Sequence, residues 1–152
     1  MSEDDVWLIK RAKLGFTFFE LIIVVAIIGT LAALSMPFVS AFQTRNDLDV
    51  AANTLAQTTR RAQSLAMATD LDSQWGVKIT NQDIVLFKGA SYVARDPSYD
   101  ETYSISSNIL VSTTTEVVFL KFSGTTAGGT INLANGNDTR TVTINEKGIV
   151  SY

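Results

Sequence analysis

Glu20 is a lone acid at the mouth of a long apolar run, with Lys10, Arg11 and Lys13 shortly before it and the pair Gly15-Phe16 in between. No charged residue occurs from Leu21 to Thr44. As a helix, those roughly 24 positions reach about 36 Å at 1.5 Å per residue, enough to cross a hydrocarbon core of about 30 Å. A carboxylate in or near hydrocarbon costs up to roughly 2.5–3.5 kcal/mol even on a lenient insertion scale. Glu20 therefore asks for a cationic partner, and a positive charge created by processing is the nearest candidate.

Elsewhere the reactive side chains are sparse. There is no histidine and no cysteine, which removes the commonest general base and metal ligand and every disulfide. Asp70 with Asp72, Asp96 with Asp100 and Glu101, and Asn135 with Asn137 and Asp138 gather oxygens of the kind hard cations favour. None has the graded spacing of a dedicated loop, so turns and solvated edges are the better reading, and no metal or cofactor is expected. Arg60 and Arg61 could touch phosphate, but no sustained basic run accompanies them and the net charge is −3. The serines and threonines of 104–115 lack a histidine partner, and enzymatic activity is not expected.

Gly15-Phe16-Thr17-Phe18-Phe19-Glu20, leading directly into the apolar run, resembles the class III signal sequences of type IV prepilins and type II secretion pseudopilins. That resemblance implies a prepilin peptidase and N-methyltransferase that cuts between Gly15 and Phe16 on the cytoplasmic face and methylates the new amine of Phe16. It further implies that Glu20, fifth in the mature chain, neutralises the terminal amine of a neighbouring subunit during assembly. Gly29 and Pro37 fall where such chains place a glycine and a proline, for helix packing and for a kink. Phe18 and Phe19 depart, conservatively, from the leucine and isoleucine or valine usual there. A conventional secretory signal ending near Ala33-Leu34-Ser35 is the competing reading, but the apolar run continues past that point and Glu20 spoils its entrance. A plain signal anchor accounts for the helix and leaves Gly15-Phe16 and Glu20 as accidents.

The positive-inside rule puts the leader, with its three basic residues, in the cytoplasm and everything beyond about residue 45 outside. The expected organisation is a cleaved leader over 1–15, a transmembrane and assembly helix over 16–45, and a globular domain over 46–152. About 108 residues follow the apolar run, enough for one small core.

In that domain Leu48, Ala51, Ala52, Leu55, Ala56, Thr59, Ala62, Leu65 and Ala66 recur at three- and four-residue spacing. The opposite face carries Asp47, Asp49, Asn53, Gln57, Arg60, Arg61 and Gln63. One helix of some 50 residues, bent near Pro37 and stopping around Asp70 to Ser73, is the simplest reading. Strands follow: Trp75 to Thr80 and Ile84 to Phe87 as a hairpin, Val117 to Phe122 as a buried strand, Thr130 to Leu133 and Thr139 to Ile144 as a second hairpin, and Ile149 to Ser151 as a short last strand. Residues 90–107 read as a surface excursion with one short strand. The fold class is α+β, a long N-terminal helix packed on an antiparallel β-sheet domain.

Phe122-Ser123-Gly124-Thr125-Thr126, then Gly128 to Leu133, then the hairpin ending in Gly148-Ile149-Val150, is similar to the globular domain of GspH/FimT-like minor pilins, as is the helix Leu55 to Ala66. The resemblance implies the pilin fold and a minor pilin or pseudopilin of a type IV pilus or type II secretion system. A major structural pilin, and a DNA-binding minor pilin for natural transformation touching DNA through Arg60 and Arg61, are the alternatives. The implied partners are the peptidase, other pilin or pseudopilin subunits, an inner-membrane assembly platform and membrane lipid. The precursor is expected as a single-pass protein of the inner or plasma membrane, and the assembled form as a periplasmic or extracellular filament.

Overall fold

The computed structural model describes residues 15–113, 115–136 and 138–152; of 34–41 it describes the backbone alone. The leader residues 1–14, including Lys10, Arg11 and Lys13, the side chain of Pro37 and all of Asn137 lie outside the described residues. The chain divides after Val39 into two compact units.

Helix α1 runs from Phe18 to Met67, 50 residues, and continues through Pro37. In the second unit its apolar stripe is the one the spacing predicts. Leu48, Ala51, Ala52, Leu55, Ala56, Thr59, Ala62 and Ala66 are buried, and Leu65 packs beside them. Alanine at so many of these positions suits close approach of helix to sheet. Thr59 is tolerated there because its hydroxyl donates to the Leu55 carbonyl at 2.7 Å, leaving no orphan polar group. The helix ends at Met67, slightly before the expected stop, where Thr69 takes a left-handed backbone. A 3-10 turn, Asp70–Asp72, follows.

Among the described residues, eight strands form two four-stranded sheets, where one sheet domain was expected. β1 (Trp75–Ile79), β2 (Asp83–Lys88), β3 (Asp96–Ser104) and β5 (Glu116–Phe119) make the first, in the order β3-β2-β1-β5. β4 (Leu110–Thr113), β6 (Gly129–Asn135), β7 (Asp138–Ile144) and β8 (Val150–Ser151) make the second, in the order β4-β6-β7-β8. All pairings are antiparallel. Ile131 and Leu133 of β6 and Val142 and Ile144 of β7 alternate inward with period two, as a half-buried sheet requires.

The first sheet is covered on both faces. Ile84 and Leu86 join the core with the α1 stripe, whereas Phe87 points the other way and meets Tyr92 edge-on at 5.6 Å. Gly76 pairs with Phe87 across β1 and β2. A Cβ on Gly76 would lie 2.5 Å from the Phe87 ring and 2.8 Å from the Val117 carbonyl oxygen, so glycine is what lets the ring lie there.

Several expectations need correction. The excursion at 90–107 contains a nine-residue edge strand, β3, rather than a short one. The strand expected to reach Phe122 stops at Phe119, because the chain turns through Leu120 to Gly124 with Phe122 in the left-handed region at φ 68. β4 was not foreseen. Gln63, assigned to the polar face, turns its amide inward and donates to the carbonyls of Gly124 at 3.1 Å and Lys147 at 2.8 Å, tying two loops to the last turns of α1.

Candidate functional site

Gly15, Phe16 and Thr17 precede the helix, and Thr17 caps it. Its hydroxyl accepts from the Glu20 N–H at 3.2 Å and its carbonyl from the Leu21 N–H at 3.1 Å. Thr17 and Glu20 thus stand at the two key positions of a capping box, in which a carboxylate in the first turn also complements the helix dipole. Sequence reasoning treated Glu20 as an acid in need of an external cation and missed this local role. The signal was there, a threonine three residues ahead of a glutamate.

From Phe16 to Ala33 the side chains face outward on all sides. Phe16 is 78 % exposed, and Phe18, Phe19, Leu21, Ile22, Ile23, Val24, Val25, Ile27, Ile28 and Leu31 are all exposed too. A helix that is apolar around its whole circumference has no single core face and suits an apolar surrounding. A side chain built on Gly15 or Gly29 would meet nothing within 4 Å, so neither glycine is demanded by packing inside one chain. The Thr30 hydroxyl is satisfied locally by the Ile27 carbonyl at 2.8 Å. Among the described residues no helix is long and apolar enough to cross a membrane; the run expected to do so includes positions 34–41.

Arg60 and Arg61 belong to the globular unit, on the exposed side of α1. Arg61 donates to Glu101 at 2.6 Å and to the Tyr103 hydroxyl at 3.4 Å, and Tyr103 itself donates to Glu101 at 2.9 Å. The bond to Glu101, with burial second, raises the Tyr103 pKa above its ordinary value. Arg60 reaches the Val150 carbonyl at 3.4 Å and stacks over the Tyr152 ring. A phosphate would have to compete with these partners. Arg61 borders an open cleft of about 380 Å³ between the end of α1 and β3, lined also by Asp70, Trp75, Tyr99, Asp100 and Glu101.

The acidic clusters hold protein partners. Asp72 pairs with Lys121 at 2.6 Å, Asp100 with Arg95 at 2.7 Å, Glu101 with Arg61, and Asp138 with Arg45 at 3.4 Å. The hydrogen bond from Arg95 to Asp100 raises the arginine pKa further. Asp96 accepts from the hydroxyl and the N–H of Ser98, which holds its carboxyl below the usual carboxylate range.

No family model matches the chain. Two fimbrial proteins of Pseudomonas aeruginosa are each 29% identical to it over 103 residues, covering 62% of this chain and 67% of theirs. The type IV minor pilin FimU of Pseudomonas aeruginosa superimposes with a TM-score of 0.54 at 15% identity, covering 72% of this chain and 90% of that one. The chain has the pilin fold. The same pilin fold relates it to the minor pseudopilin EpsH of the type 2 secretion system of Vibrio cholerae, at a TM-score of 0.52 and 11% identity, over 69% of this chain and 94% of that one. The long helix on antiparallel sheet expected from the sequence is the pilin-fold architecture observed.

Proposed function

We propose that the chain is a filament subunit of the minor pilin or minor pseudopilin kind, held in membrane and then in filament by its N-terminal helix. The supporting observation is the contrast within α1: residues 48–66 bury their stripe in a pilin-fold domain, while the described side chains from Phe16 to Leu31 turn apolar groups outward on every side. Lipid before assembly and neighbouring helices after it supply the missing apolar surroundings.

In this reading the peptidase cuts between Gly15 and Phe16, and Gly15 needs no other explanation because nothing within the chain crowds it. Thr17 remains as the cap, so the helix keeps its first turn after cleavage. Glu20 lies one turn from the new amine, exposed and available to a neighbouring subunit's terminal amine. Gly29 allows close helix approach, and Pro37 gives the helix a site of local give. The globular domain, lying outside the membrane, meets whatever the assembly platform and other subunits present. No described feature favours the major-pilin or DNA-binding readings.

The test is the N-terminus of the chain in its host membrane, by mass spectrometry. A chain beginning at methylated Phe16 supports the reading; one beginning at Met1 or after Ser35 overturns it.

A further inference from the structure

Arg61 borders two cavities along the seam between α1 and β3. One is the cleft described above. The other, of about 290 Å³, is lined by Thr54, Gln57 and Thr58 of α1, by Arg61 itself and by Tyr103 of β3. Both lie near the lower end of the range for small-molecule sites, about 300–1,000 Å³. Thr58 is only 5 % exposed, yet its hydroxyl bonds to no described residue, whereas the adjacent Thr59 satisfies its own through the Leu55 carbonyl. Among the described residues the side-chain polar atom that is both sealed and unpartnered is Asp100 Oδ1. The Thr58 hydroxyl is therefore not sealed, and it opens into the cavity that Thr58 lines.

The rest of the lining is polar and open to a ligand in the same way. The side chains of Thr54 and Gln57 bond to no described residue. Arg61 uses two of its five N–H donors, on Glu101 at 2.6 Å and on the Tyr103 hydroxyl at 3.4 Å. Tyr103 is the aromatic wall, and among the described residues no ring or cation stacks on it. Tyr99 in the neighbouring cleft differs, because its ring carries the Lys88 ammonium at 4.3 Å and meets Trp75 edge-on at 6.5 Å. The single charge in the cavity lining, Arg61, is matched by Glu101, so an ion finds no unpaired counter-charge there. A purely apolar ligand would leave the Thr58 hydroxyl without a bond. The complement is a neutral molecule with closely spaced hydroxyls, for Thr54, Gln57, Thr58 and Arg61, and C–H groups on one face for the Tyr103 ring. A sugar ring has both.

We propose that the seam between α1 and β3 binds a neutral oligosaccharide, one ring seated on Thr58, Gln57 and Tyr103 and the next passing Arg61 toward Leu71. The cleft beyond Arg61 gives the second ring room, with Leu65 and Leu71 as apolar walls and Asp70 as an acceptor. Asp70 has no cationic partner among the described residues, so it turns away an acidic sugar. The rim on that side is held in an unusual shape, since Thr69, Leu71 and Asp72 all take left-handed backbone. This site goes beyond the filament-subunit reading and does not depend on it.

The probes are a β-1,4-linked N-acetylglucosamine trimer, a glucose trimer and trigalacturonate, titrated calorimetrically into full-length protein in a detergent without a sugar headgroup. The expected result is binding of a neutral trimer and, at the same concentrations, none of trigalacturonate. The N-acetylglucosamine trimer as the better ligand points to a wall-type glycan as the source, the glucose trimer to a secreted polysaccharide, and either supports the site. Thr58→Val keeps the shape and removes the hydroxyl, so the melting temperature holds or rises while affinity falls at least about tenfold. Arg61→Ala lowers affinity about as much, and Gln57→Ala about threefold. No binding of either neutral trimer, equal binding of trigalacturonate, or an affinity indifferent to Thr58→Val overturns the site.

Discussion

The described side chains of residues 16–33 and the globular unit from Ser40 onward use apolar residues in opposite ways. In the first they are exposed throughout, and Gly29 borders open space. In the second, Leu48, Leu55, Phe119, Leu133 and Val142 have no exposure at all, and Gly76 is fixed by a ring that lies where its side chain would be. One segment is selected by what surrounds the chain and the other by what the chain supplies itself. Mutations should therefore sort cleanly: changes in the globular unit should register in stability, and changes in the first segment in location and assembly.

The largest effect should come from Phe119→Ala, which empties a fully buried site and should cost about 3–5 kcal/mol in denaturant unfolding without moving the protein out of the membrane fraction. Leu31→Lys should do the reverse. A lysine at the centre of the apolar run costs about 2.5–3.5 kcal/mol of insertion, so membrane association should fall while the domain's melting temperature stays put. If both variants lower stability equally, the division between the two regions is wrong.

That division was legible in the sequence because two patterns carry it. The uncharged run needs no periodicity, and the Leu48 to Ala66 stripe repeats at helical spacing. The inner strands β1, β2, β6 and β7 were read correctly because they alternate or are continuously apolar. β3 was underestimated because its residues, Asp96 to Ser104, include a proline and several acids, as suits an exposed sheet edge. β4 is four residues long and owes its existence to pairing with β6, about twenty residues away, which no local pattern encodes. The apolar alternation through Leu120 and Phe122 suggested strand where the residues are exposed instead. At the N-terminus, the types and spacing of Gly15, Phe16 and Glu20 were plain, whereas the Thr17 cap competed with a stronger-looking pattern and was overlooked.

Two smaller changes sharpen the comparison. Gly76→Ala should destabilise the domain by about 1–3 kcal/mol, since the new methyl meets both a ring and a carbonyl oxygen, whereas Gly29→Ala should leave the isolated chain's unfolding unchanged and affect only packing between chains. Arg61→Ala removes a half-exposed ion pair to Glu101 and should cost less than about 1 kcal/mol. The smallest effect should be a slope at alkaline pH. Tyr103 keeps its proton longer in the folded state because of Glu101, so the unfolded chain ionises first as pH rises past about 10. Stability should be full below that value and decline above it, and Tyr103→Phe should flatten the decline in melting temperature against pH.

Gln63 has a consequence for the redox conditions this domain can tolerate. Its single carboxamide fastens two loops to the helix, and the fit depends on Gly148, where a side-chain carbon would come within 2.2 Å of the amide nitrogen. A chain without thiols that closes its loop end in this way needs no oxidase and no isomerase. It should fold equally well under reducing and oxidising conditions, and its loop end can open and reseat at the speed of side-chain rotation rather than at the speed of disulfide exchange.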